Sequence, residues 1–316
     1  MELPLENIER DVLVRTKEVG KFGIKPEERS VEKRIKYSII NIDKPKGPTS
    51  HQVSAFVQKI LGITKSGHSG TLDPGVTGCL PIALDKATRI VQTLLPAGKE
   101  YVALMHLHDE LSERKIRQTF KKMTGKIMQL PPIKSAIKRQ LRPRTIYYIE
   151  ILEIKGQDVL FRIGCEAGTY IRKYIHDFGQ KAGTGAHMQQ LRRTKVGNFN
   201  ESTLVSLQDL ADALHYYKEG KNAKLKNMLQ PIEYAVRHMH KVWVSDSAVS
   251  SLISGSDLNI PGIVNLTDKI EPDQKIALLT LKGELIALGI AKLTSKKMLE
   301  NEKGLAVNVN KVFYQE

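Results

Sequence analysis

The sequence predicts an α+β fold in two parts, and three observations predict it. Runs rich in β-branched and aromatic residues at 37–42, 79–84, 99–108 and 144–165 read as strands, separated by a few stretches of helical apolar spacing. Residues 144–155 and 157–165 face each other across Gly156 as a hairpin. The composition shifts near 231–241, and beyond it short strands at 241–244, 275–281, 284–292 and 305–312 surround a small helix at 247–254, which suits a small β-barrel. The chain then divides into an N-terminal extension at 1–36, a first domain at 37–232 and a second at 236–316.

Each element has a local cause. Residues 1–36 are dense in both charges with short apolar clusters, and gain order by lying on something else. Two prolines and Gly47 stop the strand at 37–42. Thr49 or Ser50 then caps a helix in which Val53, Phe56, Val57, Ile60 and Leu61 repeat at helical spacing up to Gly62. After the strand at 79–84, Ala87, Ile90, Val91, Leu94 and Leu95 mark a second amphipathic helix ended by Pro96. Gly168 ends the hairpin, and Thr169 can cap a helix whose buried positions include Ile171, Ile175 and Phe178. Beyond that helix comes a basic strand at 187–199, Ser206 and Asp209 open a helix as a capping box, and 218–229 is Lys-rich and polar.

Composition narrows the function. The 316 residues carry 49 Lys plus Arg against 34 Asp plus Glu, a formal +15, which favours a polyanionic partner and nucleic acid first. No apolar run approaches the roughly 18 residues needed to span a bilayer, and the first residues lack the apolar core of a signal peptide, so a soluble, cytoplasmic protein is expected. Cys79 and Cys165 have no CxxC spacing and read as small buried residues in a reducing compartment. His106, His108 and Asp109 lack a third ligand at a settled metal spacing and read as solvated strand-end residues. Walker-type GxxxxGK[ST] does not occur, and Gly67-His68-Ser69-Gly70-Thr71 lacks the final glycine of a nucleophile elbow.

The chemistry concentrates at 66–78, where Gly67, Gly70, Gly75, Gly78 and Pro74 forbid regular structure and shape a loop around Asp73. Asp73 is the candidate reactive group, with an ordinary Asp-Pro turn as the alternative. Tyr101 reads as a core aromatic of its strand or as a site residue. Arg172 falls in the first turn of its helix, where the dipole opposes a cation, so it calls for a nearby anion: a surface acid, or Asp73. The segment 134–144 carries Lys134, Lys138, Arg139, Arg142 and Arg144 with no acid, and reads either as a solvated face or as a flexible loop that closes on phosphates.

Taken together these residues resemble a family. Lys44-Pro45-x-Gly47-x-Thr49-Ser50, Gly67-His68-Ser69-Gly70-Thr71-Leu72-Asp73-Pro74, Lys99-x-Tyr101, Gly168-Thr169-Tyr170-Ile171-Arg172 and Leu191-Arg192-Arg193-Thr194 occur in the order seen in TruB-type pseudouridine synthases, over about residues 35–200, and the tail resembles a PUA domain. Cys165-Glu166-Ala167-Gly168 and Tyr147-Tyr148-Ile149-Glu150 are most similar to the archaeal dyskerin-type catalytic subunit of box H/ACA ribonucleoproteins. The resemblance implies the pseudouridine synthase fold, a mixed and largely antiparallel sheet flanked by helices, with a small β-barrel-like PUA domain.

It also implies isomerisation of uridine to pseudouridine in rRNA, and in tRNA, without cofactor or metal. Asp73 would act on the ribose, Arg172 would orient it from a buried pair, and Tyr101 would stack on the base and take the carbon-5 proton, which requires a lowered phenol pKa. Lys44, Pro45, His68, Tyr170 and Leu191 would support the site. Arg192, Arg193 and Lys195 would join the 134–144 segment in contacting RNA, and Gly255, Leu258, Pro261 and Lys292 would mark a groove for a guide RNA. Implied partners are a box H/ACA guide RNA, a zinc-ribbon-type protein, a glycine-arginine-rich-type protein and a kink-turn-binding ribosomal-type protein. Two other readings compete, a stand-alone tRNA synthase and a noncatalytic RNA-binding scaffold. The presence of Asp73, Tyr101 and Arg172 together speaks against the scaffold.

Overall fold

The computed structural model describes residues 2–4, 6, 8–132 and 138–314. In chain order its elements begin with β1 (Val12–Val14), α1 (Val31–Lys36), β2 (Ser38–Lys44), α2 (Ser50–Leu61), β3 (Ser66–His68), β4 (Thr77–Leu84), α3 (Val91–Leu94), β5 (Lys99–Leu107) and α4 (Glu113–Lys122). Next come β6 (Gly125–Gln129), β7 (Arg142–Lys155), β8 (Asp158–Cys165), α5 (Ile171–Ala182), β9 (Ala186–Val196), β10 (Phe199–Asn200), α6 (Leu207–Lys218) and α7 (Ala223–Met228). The chain ends with β11 (Gln230–Pro231), β12 (His240–Val244), α8 (Asp246–Ile253), β13 (Leu258–Asn259), β14 (Ile263–Thr267), β15 (Lys275–Leu279), β16 (Leu285–Ala291), α9 (Ser295–Glu300) and β17 (Leu305–Val312). This is the mixed α+β architecture that the sequence predicts. Two compact units emerge, one of residues 1–6, 40–83 and 88–221, the other of 7–39, 84–87 and 222–316.

The first unit is built on the strand order β2-β4-β9-β5-β8-β7-β6, with β3 on β4 and β10 on β9. β4 and β9 run parallel, while β5–β8, β5–β9, β7–β8 and β6–β7 are antiparallel. The hairpin forms as its sequence demands: Gly156 takes φ +55° between β7 and β8, a conformation costly for any residue with a Cβ. One face of this sheet is covered by α4 and α5, whose apolar stripes bury Phe120 and Phe178 against Phe161, with ring centroids 4.5 Å apart for Phe120–Phe178 and 4.9 Å for Phe120–Phe161.

Three local expectations are corrected. The basic segment is not a loop to its end, because Arg142 and Arg144 already belong to β7 and pair with Gln129 and Ile127 of β6. Thr169 does not cap α5: its hydroxyl donates to Glu166 O at 2.7 Å, and Tyr170 is the N-cap, without a side-chain cap of its own. The polar stretch 218–229 holds α7, whose buried Leu225 anchors it. Elsewhere the capping residues act as read. Thr49 and Gln52 form a reciprocal capping box on α2, and Ser206 accepts from Asp209 N at the start of α6.

The second unit orders its strands β1-β14-β12-β15-β16-β17-β13, all antiparallel except β12–β15. Its N-terminal segment joins this sheet, with Val12 opposite Thr267 and Val14 opposite Asn265. The charge-dense sequence gains order there by specific bonds, Asp246 accepting from the backbone N–H of Lys21 (2.7 Å) and Phe22 (3.1 Å). An apolar core runs from Val242 on β12 through Ile276 and Leu278 on β15 to Ile286 on β16.

Candidate active site

The loop that carries Asp73 is fastened by buried groups on every side. Lys44, at the end of β2, is fully buried, and its ammonium donates to the carbonyls of Pro45 (2.9 Å), Pro74 (3.2 Å) and Val76 (2.8 Å). Ser50, opening α2, accepts from Leu72 N at 2.8 Å and donates to Leu72 O at 3.2 Å. Gly47 N donates to Pro74 O, and Val76 N closes a turn on Asp73 O. From the other side Arg193 of β9, 1% exposed, donates to Cys79 O at 2.8 Å and Gly70 O at 3.2 Å. Gly78 sits at φ +101° directly against the Arg193 backbone, where a Cβ would come within 2.2 Å of its carbonyl oxygen. A loop with no regular hydrogen-bond ladder thus has its carbonyls satisfied by two cations drawn inward.

Held this way, Asp73 projects its carboxylate to Arg172, whose Nη2 donates to Oδ2 at 2.6 Å. Arg172 is placed by the start of α5, where Gln129 of β6 brackets Tyr170: its amide oxygen accepts from Tyr170 N at 3.0 Å and its amide nitrogen donates to Tyr170 O at 3.2 Å. The first turn of α5 contains no acid, so Asp73 supplies the anion that the helix terminus calls for. The pair is open to solvent, with side chains 59% (Asp73) and 64% (Arg172) exposed, which corrects the expectation of a buried arginine. Such an exposed pair contributes about 0 to 1 kcal/mol of stability, so its value is directional.

Beside the pair opens a cleft of about 820 Å³ lined by Gly75–Thr77, Arg172, and Val102, Leu104 and Leu191 on the strands behind. Leu191 therefore lines the cleft beside the pair. Tyr101, on β5, is half-buried against the core cluster. Burial pushes its phenol up from the usual value, and the guanidinium of Arg193, to which it is hydrogen-bonded, only partly opposes that rise. The lowered phenol pKa that proton abstraction requires is thus not met in this structure. His68, at the end of β3, is held down by burial, then by Arg193 and His51, so it is neutral at pH 7. Its Nδ1 is buried without a partner among the described residues. Pro45 is exposed at the loop's edge and contributes its carbonyl to Lys44.

The expected RNA contacts fare unevenly. Arg193 is corrected: wholly buried, it braces the loop and offers no charge to phosphate. Arg192 spends its guanidinium on Asp43 (2.9 and 3.0 Å) and Glu201 (2.6 Å), and Lys195 is paired with Glu6 at 2.9 Å. Arg144 packs its guanidinium on Gly168 and lies 3.7 Å from Glu166, which leaves it largely covered. Lys138 and Arg139 are exposed, and Lys134 lies outside the described residues. In the second unit Gly255, Pro261 and Lys292 are exposed, whereas Leu258 is a core residue of β13 and cannot line a groove. Two site residues, Asp43 and Gln129, carry only weak signals in the sequence. Asp43 directly precedes the Lys44-Pro45 motif, and Gln129 precedes Leu130-Pro131-Pro132, where a strand must stop. Among the described residues no group of three or more His, Cys, Asp or Glu side chains could hold a metal ion.

Family models match along the chain: the DKCLD (NUC011) domain at 1–54, the TruB family pseudouridylate synthase N-terminal domain at 58–114 and 108–171, the tRNA pseudouridylate synthase B C-terminal domain at 172–237, and the PUA domain at 240–313. The probable tRNA pseudouridine synthase B of Pyrococcus horikoshii is 53% identical over 312 residues, covering 97% of this chain and 93% of that one. Among solved structures, a Cbf5-Nop10-Gar1 complex contains a chain 52% identical with a TM-score of 0.93, covering 99% of this chain and 96% of that chain. An H/ACA RNP bound to a substrate RNA containing 2'-deoxyuridine contains a chain 51% identical, also at 0.93, covering 100% and 98% respectively.

Proposed function

Since the chain belongs to the TruB family of pseudouridine synthases, with a PUA and a DKCLD domain, we propose that it isomerises uridine in RNA as the catalytic subunit of a guided box H/ACA particle. The observation that carries the reading is the Asp73 carboxylate, fixed by a clamped loop and aimed by Arg172 at the rim of the cleft. Asp73 acts on the ribose of an everted uridine, either by attack at C1′ or by removing a ribose proton to give a glycal. In the first route the bond from C1′ to N1 breaks as the Asp73 ester forms, the ring turns, and the ester breaks as C5 bonds to C1′; in the second Asp73 takes the C2′ proton as the C1′–N1 bond breaks and returns it to C2′ as C5 bonds to C1′. In both, the proton leaving C5 is balanced by one gained at N1. Arg172 keeps the carboxylate directed. Tyr101 packs on the base through its ring, Leu191 covers the opposite apolar edge, and Tyr170 and His68 hold the loop and helix around it.

Residues 37–232 form the catalytic domain and 236–316 the PUA domain, which takes the guide RNA. The guide chooses the uridine, in rRNA or tRNA. Nop10 and Gar1, found with the matched chain, correspond to the zinc-ribbon-type and glycine-arginine-rich-type partners, and a kink-turn-binding protein completes the particle in an archaeal cytoplasm. Asp73→Asn abolishes pseudouridine formation and leaves RNA affinity within about threefold, since an exposed side chain of equal size is exchanged; retained turnover removes Asp73 from the mechanism. Assay of the assembled protein on one target RNA with and without its guide separates the guided reading from a stand-alone tRNA synthase, which the names of the relatives favour. Equal modification in both arms supports the stand-alone enzyme.

A further inference from the structure

The cations that the sequence assigns to RNA at 192–195 are engaged by acids or by backbone carbonyls, so free positive charge must be sought on other surfaces. One such surface is α4. That helix buries Ile116, Thr119 and Phe120 on the face packed against α5. Its opposite face is Arg114, Lys115, Gln118, Lys121 and Lys122, all exposed and all brought to one side by helical spacing. The only acid in the helix, Glu113, is occupied by Arg117 at 2.6 Å on the flank. Lys126, exposed on the adjoining edge strand β6, extends the patch. Among the described residues, none of these five cationic side chains has an ion pair or a side-chain hydrogen bond.

The patch also belongs to the same compact unit as the candidate site. α4 packs on α5 through Phe120 and Phe178, and β6 ends in the Gln129 that brackets Tyr170 beside Arg172. We propose that this face of α4, with Lys126, receives the phosphates of the substrate strand flanking the target uridine. The inference rests on the synthase reading above and names where its RNA lies. A strand that delivers a base to Arg172 carries its neighbouring phosphates over the surface around α5, and α4 supplies four closely spaced cations there with no acid to repel them. The guide, which the proposed function assigns to the PUA domain, does not need this face.

The test uses the full chain carrying Arg114→Gln, Lys115→Gln, Lys121→Gln and Lys122→Gln, beside a variant in which each lysine becomes arginine and Arg114 becomes lysine. Affinity for a labelled single-stranded RNA bearing the target uridine is measured over a range of salt, and affinity for the guide hairpin is measured separately. The neutralised variant loses substrate affinity, and its log–log salt slope falls by about 3, the release expected from four phosphate contacts on a single strand. The charge-retaining variant binds as wild type, and guide affinity is unchanged in both. An unchanged substrate slope overturns the proposal. So does an equal loss for the guide, or a loss confined to binding of a protein partner. A wild-type particle that forms no pseudouridine sinks the synthase reading instead, since the binding slopes are read without turnover.

Discussion

At the scale of single residues, two arginines of the same site do different work because one is wet and the other dry. Arg172 is open to solvent and bonded to one carboxylate oxygen, so removing it costs direction rather than folding energy. Arg193 is buried and bridges Gly70, Cys79 and the phenol of Tyr101, so removing it strands carbonyls that water cannot reach. Arg172→Ala is expected to lower the rate of pseudouridine formation by about a hundredfold or more while changing the unfolding free energy by no more than about 1 kcal/mol. Arg193→Met is expected to lose rate and also about 2 to 4 kcal/mol of stability. Paired rate and urea-unfolding measurements check both; an Arg172→Ala protein that unfolds as readily as Arg193→Met contradicts the division. Exposure also explains why Asp73 needs a partner, since solvent alone leaves a carboxylate free to rotate.

At the scale of elements, the segment expected to be a loop over 66–78 opens with the short strand β3 and runs into β4 at Thr77, so the loop proper is 69–76; its neighbours satisfy it, and the end of β2 contributes most. The buried ammonium of Lys44 holds three carbonyls, two of them flanking the turn after Asp73. Burial pushes its pKa down, the Asp73 charge pulls it back up, and the lysine is retained for its geometry. Lys44→Met keeps the volume and removes the donors, so it is expected to cost about 2 to 4 kcal/mol and to slow the reaction without touching the substrate; thermal unfolding together with single-turnover rates tests this, and wild-type behaviour in both removes Lys44 from the clamp. Much of this element logic is legible in the sequence: the glycines and Pro74 announce a loop, Thr49 with Gln52 announces a cap, and Gly156 announces the hairpin. The illegible part depends on tertiary satisfaction. A run such as Leu191-Arg192-Arg193-Thr194 alternates across a strand, but only the folded sheet shows that Arg193 points inward to the loop while Arg192 meets Asp43 and Glu201. Leu258 and Arg144 depart from their expected exposure for the same reason, because burial is decided by partners far away in the chain. The helix α7 and the strand β14 have favourable local propensities, but at six and five residues they are too short to show a hydrophobic period, so only their packing in the fold reveals them.

At the scale of the whole molecule, the second unit joins an N-terminal segment to the C-terminal third of the chain, and two ionisable features at least partly buried there make its stability testable by itself. Its fluorescence is convenient, since Trp243 on β12 is the one tryptophan of the sequence. Burial, and then the charges of Lys241 and Arg10, hold His238 down to about 4 from an ordinary 6.5. Between those values the unfolded chain takes up a proton that the folded unit refuses, so stability falls as pH drops from about 6.5 towards 4 and is fully present above. His238→Gln is expected to flatten the Trp243 unfolding midpoint across that window, and an unchanged slope rules the residue out.

The second feature ties the N-terminal segment to the sheet. Arg29, 7% exposed, forms a fork on Glu233 (2.9 and 2.7 Å) and reaches Glu284 (3.3 and 3.2 Å), while Glu284 also accepts from Ile24 N at 2.9 Å and Glu233 from Leu285 N at 2.8 Å. Arg29→Met leaves two buried carboxylates uncompensated and is expected to cost about 3 to 5 kcal/mol, seen as an early Trp243 transition. Adding Glu233→Gln and Glu284→Gln keeps an amide oxygen for each backbone N–H and removes the stranded charge, so the triple variant recovers a large part of the loss. If the single variant unfolds at the wild-type midpoint, the N-terminal segment is held by its strand pairing, its apolar contacts and its other hydrogen bonds, those to Asp246 among them, and the charges around Arg29 are passengers.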